Sequence, residues 1–386
     1  MGTKTIYLTP QGFTTESGWQ QLNWAVRDLY GKSFVLSHSL PEADSFHFGD
    51  PGRGDHALLA VLLYAMQQAS DIVVEGCASP RLLDGIETLQ TIWRRWRPSS
   101  YQMVSIRAHE ESETIPKHAD RPAVFAFSGG VDGTYSLFRH LQKAAGRNTR
   151  RPAAALMVHG MDIPLERDDF YRKATQRAER MLADTGVPLI RMKSNSRSLD
   201  QSWDNSFGLQ LAACFLVLQE RFAFAIQGSD DPYEIFYPWG STPLTNPLCS
   251  TAILNVECDG CGADRSEKVS WLSANTQTCE NLRVCWAGSD LDRNCGKCEK
   301  CLRTMLNFWA MNIEIPKAFP TALTSERVLA IGLNQKVELE SLYTHAMTHH
   351  PDNDPILKAL RLRLGYTGPH ALALKAARAM QRLLRF

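Results

Sequence analysis

No apolar run in the 386-residue sequence approaches the roughly 18 to 20 residues that a bilayer-spanning helix requires. The opening stretch, MGTKTIYLTPQGF, lacks the apolar core of a secretory signal, so a cytoplasmic location is the expectation. Net charge is also nearly missing. Lys and Arg total 42 against 41 Asp and Glu, which leaves +1 and no global field toward nucleic acid or membrane. No segment recurs at a fixed period. What remains is an ordinary globular composition, 44% hydrophobic and 22% charged, in a chain long enough for two domains.

The ten cysteines are not spread as they would be in a small secreted disulfide scaffold. Seven fall between Cys258 and Cys301, which points to a metal site; Cys77, Cys214 and Cys249 read as buried small hydrophobes.

Residues 1–115 read as a small α/β domain, with strands at TIYL, SFVL, DIVVEG and YQMVSI and helices at HALLAVLLYAMQQA and RLLDGIETLQTIWRRW. The polar segment HEESETIPKHADRP (109–122) reads as a linker. From Ala123 short apolar strands alternate with amphipathic helices: AVFAF, AAALMVHG, PLIRMKSN and FAFAIQGS, with helices near 133–145, 167–185 and 206–220. That alternation predicts a doubly wound α/β domain over 120–280, its parallel sheet covered on both faces. Ligands of such sheets bind beyond the carboxyl ends of the strands. There lie the loop FSGGVDGTYS (127–136), His159-Gly160-Met161-Asp162, Lys193-Ser194-Asn195 and Gly228-Ser229-Asp230.

The loop is built to hold phosphate. Ser128 offers a hydroxyl, Gly129 and Gly130 permit close backbone approach, and the helix that follows presents unpaired N–H groups. Asp132 either braces the turn or helps hold Mg2+ on the phosphates. No lysine follows as the G-x-x-x-x-G-K-[ST] loop requires, and G-G-x-x-G is not the dinucleotide spacing.

Further on, CWAGSDLDRNCGKCEKC sets Cys285, Cys295, Cys298 and Cys301 in a C-x9-C-x2-C-x2-C array. Two-residue gaps bring thiolates onto one centre, and four thiolates satisfy tetrahedral zinc. CDGC (Cys258, Cys261) offers a competing pairing with Cys298 and Cys301, a second metal, or a redox pair. The zinc-binding segment is expected over 281–310 and a helical tail over 311–386. Along that tail Lys375, Arg378, Arg382 and Arg385 share one helical side, Leu372, Ala376, Ala379 and Leu383 another. A packed helix with a solvated basic face and an anionic partner both fit.

Ser128-Gly129-Gly130-Val131-Asp132 resembles the S-G-G-x-D-S loop of the N-type ATP pyrophosphatases, with Gly133 in place of serine. LRVCW followed by NCGKCEKCLRT resembles the carboxyl-terminal part of bacterial 7-cyano-7-deazaguanine synthases, matching at Cys285, Cys295, Cys298, Cys301 and Arg303. The resemblance covers about residues 122–306. It implies an adenine-nucleotide hydrolase-like fold and a ligase-type enzyme that cleaves ATP to AMP and pyrophosphate. A substrate carboxylate or amide oxygen would be adenylated, then displaced by ammonia or another amine. The implied cofactors are ATP, Mg2+ and a structural Zn2+ on the four cysteines.

The same resemblance implies roles for individual residues. Ser128, Gly129, Gly130, Asp132, Gly133 and Thr134 would grip the pyrophosphate end, with Thr134 or Ser136 supplying the hydroxyl that Gly133 lacks. His159 and Gly160 would lie near adenine, although His159 also fits a hydrogen-bonded core edge. Gly228, Ser229 and Asp230 would face the adenylate. Lys268, with Arg265, would offset phosphate charge, so Ser128, Asp132 and Lys268 are the catalytic candidates. Tyr233, Phe236, Tyr237 and Trp239, in DDPYEIFYPWGSTPLTNP, either stack on a planar ligand or pack a loop. The expected partner is a small-molecule substrate, with nucleic acid or protein substrates as alternatives and a homodimer as one assembly. An RNA-thiolating enzyme using Cys258 and Cys261, helped by the basic WRRWR segment, and a decayed nucleotide-binding module are the other readings.

Overall fold

A computed structural model describes residues 4–28, 33–113, 122–199, 201–235, 237–285, 287–333 and 336–366. The chain divides into two compact units, residues 1–262 and 263–386.

The first unit is mixed α/β. Its N-terminal half contains β1 (Lys4–Glu16), β2 (Trp19–Arg27), β3 (Ser33–Pro41), α1 (Asp55–Gln68), β4 (Ser70–Ala78), α2 (Pro80–Trp96) and β5 (Ile106–Glu111). Then follow β6 (Ala123–Ala126), α3 (Val131–Leu141), β7 (Pro152–His159), α4 (Asp168–Leu182), β8 (Leu189–Ser194), α5 (Trp203–Leu216), β9 (Phe224–Gly228) and β10 (Asn255–Asp259). All ten strands form one sheet in the order β10-β9-β6-β7-β8-β3-β2-β1-β4-β5. Strands β6 to β10 pair only in parallel among themselves. Order reverses around β6, with β7 and β8 to one side and β9 and β10 to the other.

The sheet runs unbroken past the expected boundary near 115–120. Its seam is a short antiparallel pairing of β3 with β8, His38 opposite Ser194 and Ser39 opposite Lys193. Asn195 lengthens the seam with its side chain, accepting from Ser37 N–H at 2.8 Å and donating to the Val35 carbonyl at 2.7 Å. One core draws on both halves, joining Trp24, Leu58 and Leu62 to Leu156, Phe215 and Val256. Helix α1 is buried on every side from Asp55 to Met66, which its apolar run over residues 57–66 allows.

Three local readings change. Strand β2 was hidden by Gln20, Gln21 and Asn23, yet Ser17 and Gly18 at φ +52° and +77° make the two-residue turn that pairs it with β1. Strand β5 begins at Ile106 instead of ending there, and it takes residues 109–111 from the expected linker. The preceding stretch is held by α2: Tyr101 packs edge-on to Trp93 at 5.7 Å, and Val104 N–H donates to Gln90 Oε1 at 2.8 Å. Strand β10, NVECD, was not anticipated.

The second unit is helical: α6 (Arg265–Leu272), α7 (Thr276–Glu280), α8 (Glu299–Ala310), α9 (Ser325–Leu329), α10 (Lys336–His349) and α11 (Pro355–Arg363). Leu302, Leu306, Val328, Leu339, Leu342, Leu357 and Leu360 form its core. Thus α6, the cysteine array and the described part of the tail share one unit. Asp264 caps α6 in a reciprocal capping box with Glu267, and its Oδ2 accepts from Ser341 Oγ at 2.6 Å and His345 Nε2 at 2.7 Å. Burial alone would push the Asp264 carboxyl up, but these bonds hold it at about 2. The basic face at Lys375, Arg378, Arg382 and Arg385 lies outside the described residues. Among the described residues no helix is long and apolar enough to cross a membrane.

Candidate functional site

The glycine loop stands where the strand order reverses. After β6, Phe127 is buried and Ser128 is exposed. Gly129 takes φ +78°, a left-handed conformation that glycine adopts without steric cost. Gly130 is the N-cap of α3 and, having no side chain, leaves that end uncapped. The first N–H groups of an α-helix have no partner within it, and they mark the positive end of its dipole. An anion-receptive helix end therefore opens at the reversal point, the usual ligand position in open α/β sheets. Asp132 is half-buried in the first turn of α3.

Gly133 has a packing role. A Cβ built there would lie 2.7 Å from the Ala126 carbonyl oxygen, and one at Gly228 would lie 2.5 Å from the Asp132 carbonyl carbon. The first turn of α3 thus rests directly on the ends of β6 and β9, and the serine of the S-G-G-x-D-S pattern does not fit without a backbone shift. Of the two hydroxyls considered in its stead, that of Ser136 is committed, donating to Asp259 Oδ2 at 2.6 Å. Thr134 Oγ1 is buried and, among the described residues, without a hydrogen-bond partner.

Asp259, at the end of β10, was not singled out in the sequence. Beyond Ser136, it meets Arg139 at 3.6 Å and His140 Nε2 at 3.3 Å. His140 Nδ1 accepts the Arg150 N–H at 2.8 Å, so the neutral ring carries its proton on Nε2, toward Asp259. Burial would raise the Asp259 carboxyl, but its contacts with His140, Ser136 and Arg139 outweigh burial and hold it below its ordinary value.

His159 belongs to the core edge. It is fully buried, stacks on Tyr171 with ring centroids 4.3 Å apart, and directs Nε2 to the Pro164 carbonyl at 2.8 Å. A carbonyl only accepts, so Nε2 carries the proton, and burial lowers the pKa of the ring. Gly160, at φ +101°, passes so close to the Ser194 carbonyl that no side chain fits.

Beyond β9, Gly228 abuts α3, Ser229 N–H donates to the Asp259 carbonyl at 2.7 Å, and the Ser229 hydroxyl donates to the Asp231 carbonyl. Asp230 accepts from Trp239 Nε1 at 2.9 Å, and Asp231 from Tyr237 Oη at 3.0 Å. Tyr233, Tyr237 and Trp239 help line a cavity of about 60 Å³. That is well below the ~150 Å³ that admits benzene. Tyr237 and Trp239 are tied into this loop through Asp231 and Asp230, whereas Tyr233 stands largely exposed; Phe236 lies outside the described residues. Lys268 and Arg265 belong to the second unit, where Arg265 opens α6 and Lys268 is fully buried one turn on.

The second unit holds the cysteine centre. The sulfurs of Cys285, Cys295, Cys298 and Cys301 lie within 4.8 Å of one another, an arrangement able to hold a metal ion. Cys285 and Cys298 are 3.7 Å apart, Cys295 and Cys301 4.0 Å. Four thiolates at tetrahedral Zn–S distances would be spaced by about 3.8 Å, so the donor set fits zinc. Gly296 at φ +67° makes the first turn, and Cys295 Sγ accepts from Lys297 N–H and Cys298 N–H at 3.3 and 3.2 Å. Asn294, missed in the sequence, ties the two arms together. Its Oδ1 accepts from Val284 and Cys285 N–H, while Nδ2 donates to the Leu282 and Ala318 carbonyls. Arg303 anchors α8 to α10 through Glu338. Hydrogen bonds from Cys298 and Cys301 hold the Cys285 thiol down, while the bond to Cys285 pushes the Cys298 thiol up.

Cys258 and Cys261 stand outside that cluster, 3.7 Å from each other. Cys214 and Cys249 are buried core residues whose thiols burial pushes up to about 12, whereas Cys77 is half-buried against Ser112. No family model, curated protein or solved structure matches the chain.

Proposed function

We propose that the chain is an ATP-dependent, ligase-type enzyme that grips the phosphates of ATP at Ser128–Thr134 and activates a substrate carboxylate or amide oxygen as its adenylate. The reading rests above all on one observation: an uncapped helix end behind a left-handed glycine, at the strand-order reversal of a parallel sheet. The order β8-β7-β6-β9-β10 reverses at β6 as in doubly wound sheets and supports the same assignment.

Under this reading the Ser128 hydroxyl and the α3 amides orient the pyrophosphate portion, and Asp132 holds Mg2+, which supplies charge neutralisation. Catalysis is then positioning and electrostatic stabilisation. The buried Thr134 hydroxyl is the nearest replacement for the family's serine, since Ser136 is held by Asp259. Zinc on Cys285, Cys295, Cys298 and Cys301 is structural.

Pyrophosphate release from ATP, measured across a panel of carboxylates and amines, tests the proposal. Release that depends on an acyl acceptor is the expected result. ATP binding without release from any substrate would favour a non-catalytic module, and activity abolished by C258A and C261A would favour thiolation.

A further inference from the structure

The CDGC segment lies outside both assignments above. Cys258, next to last in β10, is half-exposed, Gly260 turns the chain at φ +89°, and Cys261 is buried with its sulfur 3.7 Å from that of Cys258. Closing that gap to a disulfide takes about 1.7 Å, within the reach of side-chain rotation. No third ligating side chain joins the pair into a metal cluster among the described residues. The turn is also fastened to its surroundings at three points. The Asp259 carboxylate holds Ser136, Arg139 and His140 of α3, the Asp259 carbonyl takes the Ser229 N–H, and the Cys261 carbonyl takes the Tyr233 N–H at 2.8 Å.

We infer that Cys258 and Cys261 form a redox-active dithiol that closes to an intramolecular disulfide by exchange with a small-molecule disulfide, and that closure repositions Asp259 against α3. The half-exposed Cys258 thiolate attacks one sulfur of the incoming disulfide and expels its partner as a thiolate. Cys261 then attacks Sγ of Cys258 in the mixed disulfide and expels the second thiol. The dithiol loses two protons and two electrons, and the incoming disulfide takes up both as two thiols. Asp259 is held between the cysteines, so tightening the four-residue turn moves its carboxylate relative to α3. Nothing in this chemistry depends on what the glycine loop binds.

The test uses the full-length, metal-loaded protein equilibrated with oxidised and reduced glutathione, trapped by alkylation and mapped by peptide mass spectrometry. Both thiols of the 258–261 peptide should be lost together from alkylation as an internal disulfide, and reappear on reduction. C261S should trap a glutathione adduct on Cys258, and C258S should leave Cys261 unmodified. Two thiols that stay alkylatable in excess oxidised glutathione, or no adduct in C261S, would overturn the exchange. Hydrogen exchange over residues 131–141 reports on the second half. Exchange should differ between the two states of the wild type and be insensitive to glutathione in C258A/C261A. Identical exchange in the two wild-type states would overturn the link to α3.

Discussion

Replacing Gly133 by alanine or serine tests the packing of α3 directly. The new Cβ would stand 2.7 Å from the Ala126 carbonyl oxygen. An unstrained contact there needs about 3.4 Å, and the obstructing atom is backbone that cannot rotate away. Overpacking of this kind costs about 1–3 kcal/mol. Alanine is favoured over glycine inside a helix by at most ~1 kcal/mol, and less in a first turn. Strain therefore outweighs propensity, with a net loss of about 1 kcal/mol or more, roughly 2–4 °C in melting temperature for a unit of this size. Gly228→Ala, whose Cβ would meet the Asp132 carbonyl carbon at 2.5 Å, should lose at least as much. Gly262→Ala, with nothing within 4 Å of its Cβ, is the control and should stay within about 0.5 kcal/mol. Urea unfolding gives the stabilities, and calorimetric titration with ATP reports on the loop. A G133S protein at least as stable as wild type, binding nucleotide as tightly or more so, would refute the steric argument and make Gly133 a simple missing hydroxyl.

Other outcomes follow from the same contacts. S128A and D132A should weaken ATP binding by about tenfold each, ~1.4 kcal/mol, with little change in melting temperature, as titration calorimetry can check. Elemental analysis should find about one zinc per chain, and C298S or C301S should lose the metal together with the helical unit's folded signal. Asp264 sits at about 2 when folded, below an ordinary carboxyl near 3.9, so its contribution is complete above that ordinary value and disappears as pH falls through the folded one. Urea midpoints measured down the acid limb should therefore fall more steeply for wild type than for D264N.

Strands β6, β7 and β9 were legible because they are short apolar runs that lead into glycine, and the striped helices α3 and α4 mark the alternation around them. The cysteine array was legible because its spacing has few other uses. Strand β2 escaped because its polar residues break the apolar pattern, although the Ser-Gly turn ahead of it was a usable signal. His159 shows the limit on site reading, since only its stacking on Tyr171 and its bond to Pro164 distinguish a core-edge ring from a ligand contact. Asp259 and Asn294 act through partners 119 to 123 and 9 to 24 positions away, distances at which a sequence carries no local trace.

The junction of β3 with β8 has a bearing on how the gene can be cut. An open parallel sheet has a bare outer strand at each side, and here the one at β8 is met by the chain's own N-terminal meander. Either half expressed alone would uncover the backbone groups of this short seam on β3 or β8, a template for pairing with another copy. Separate fragments should therefore clump when made singly and recover when made together, which would make each half the cover for the other's seam strand.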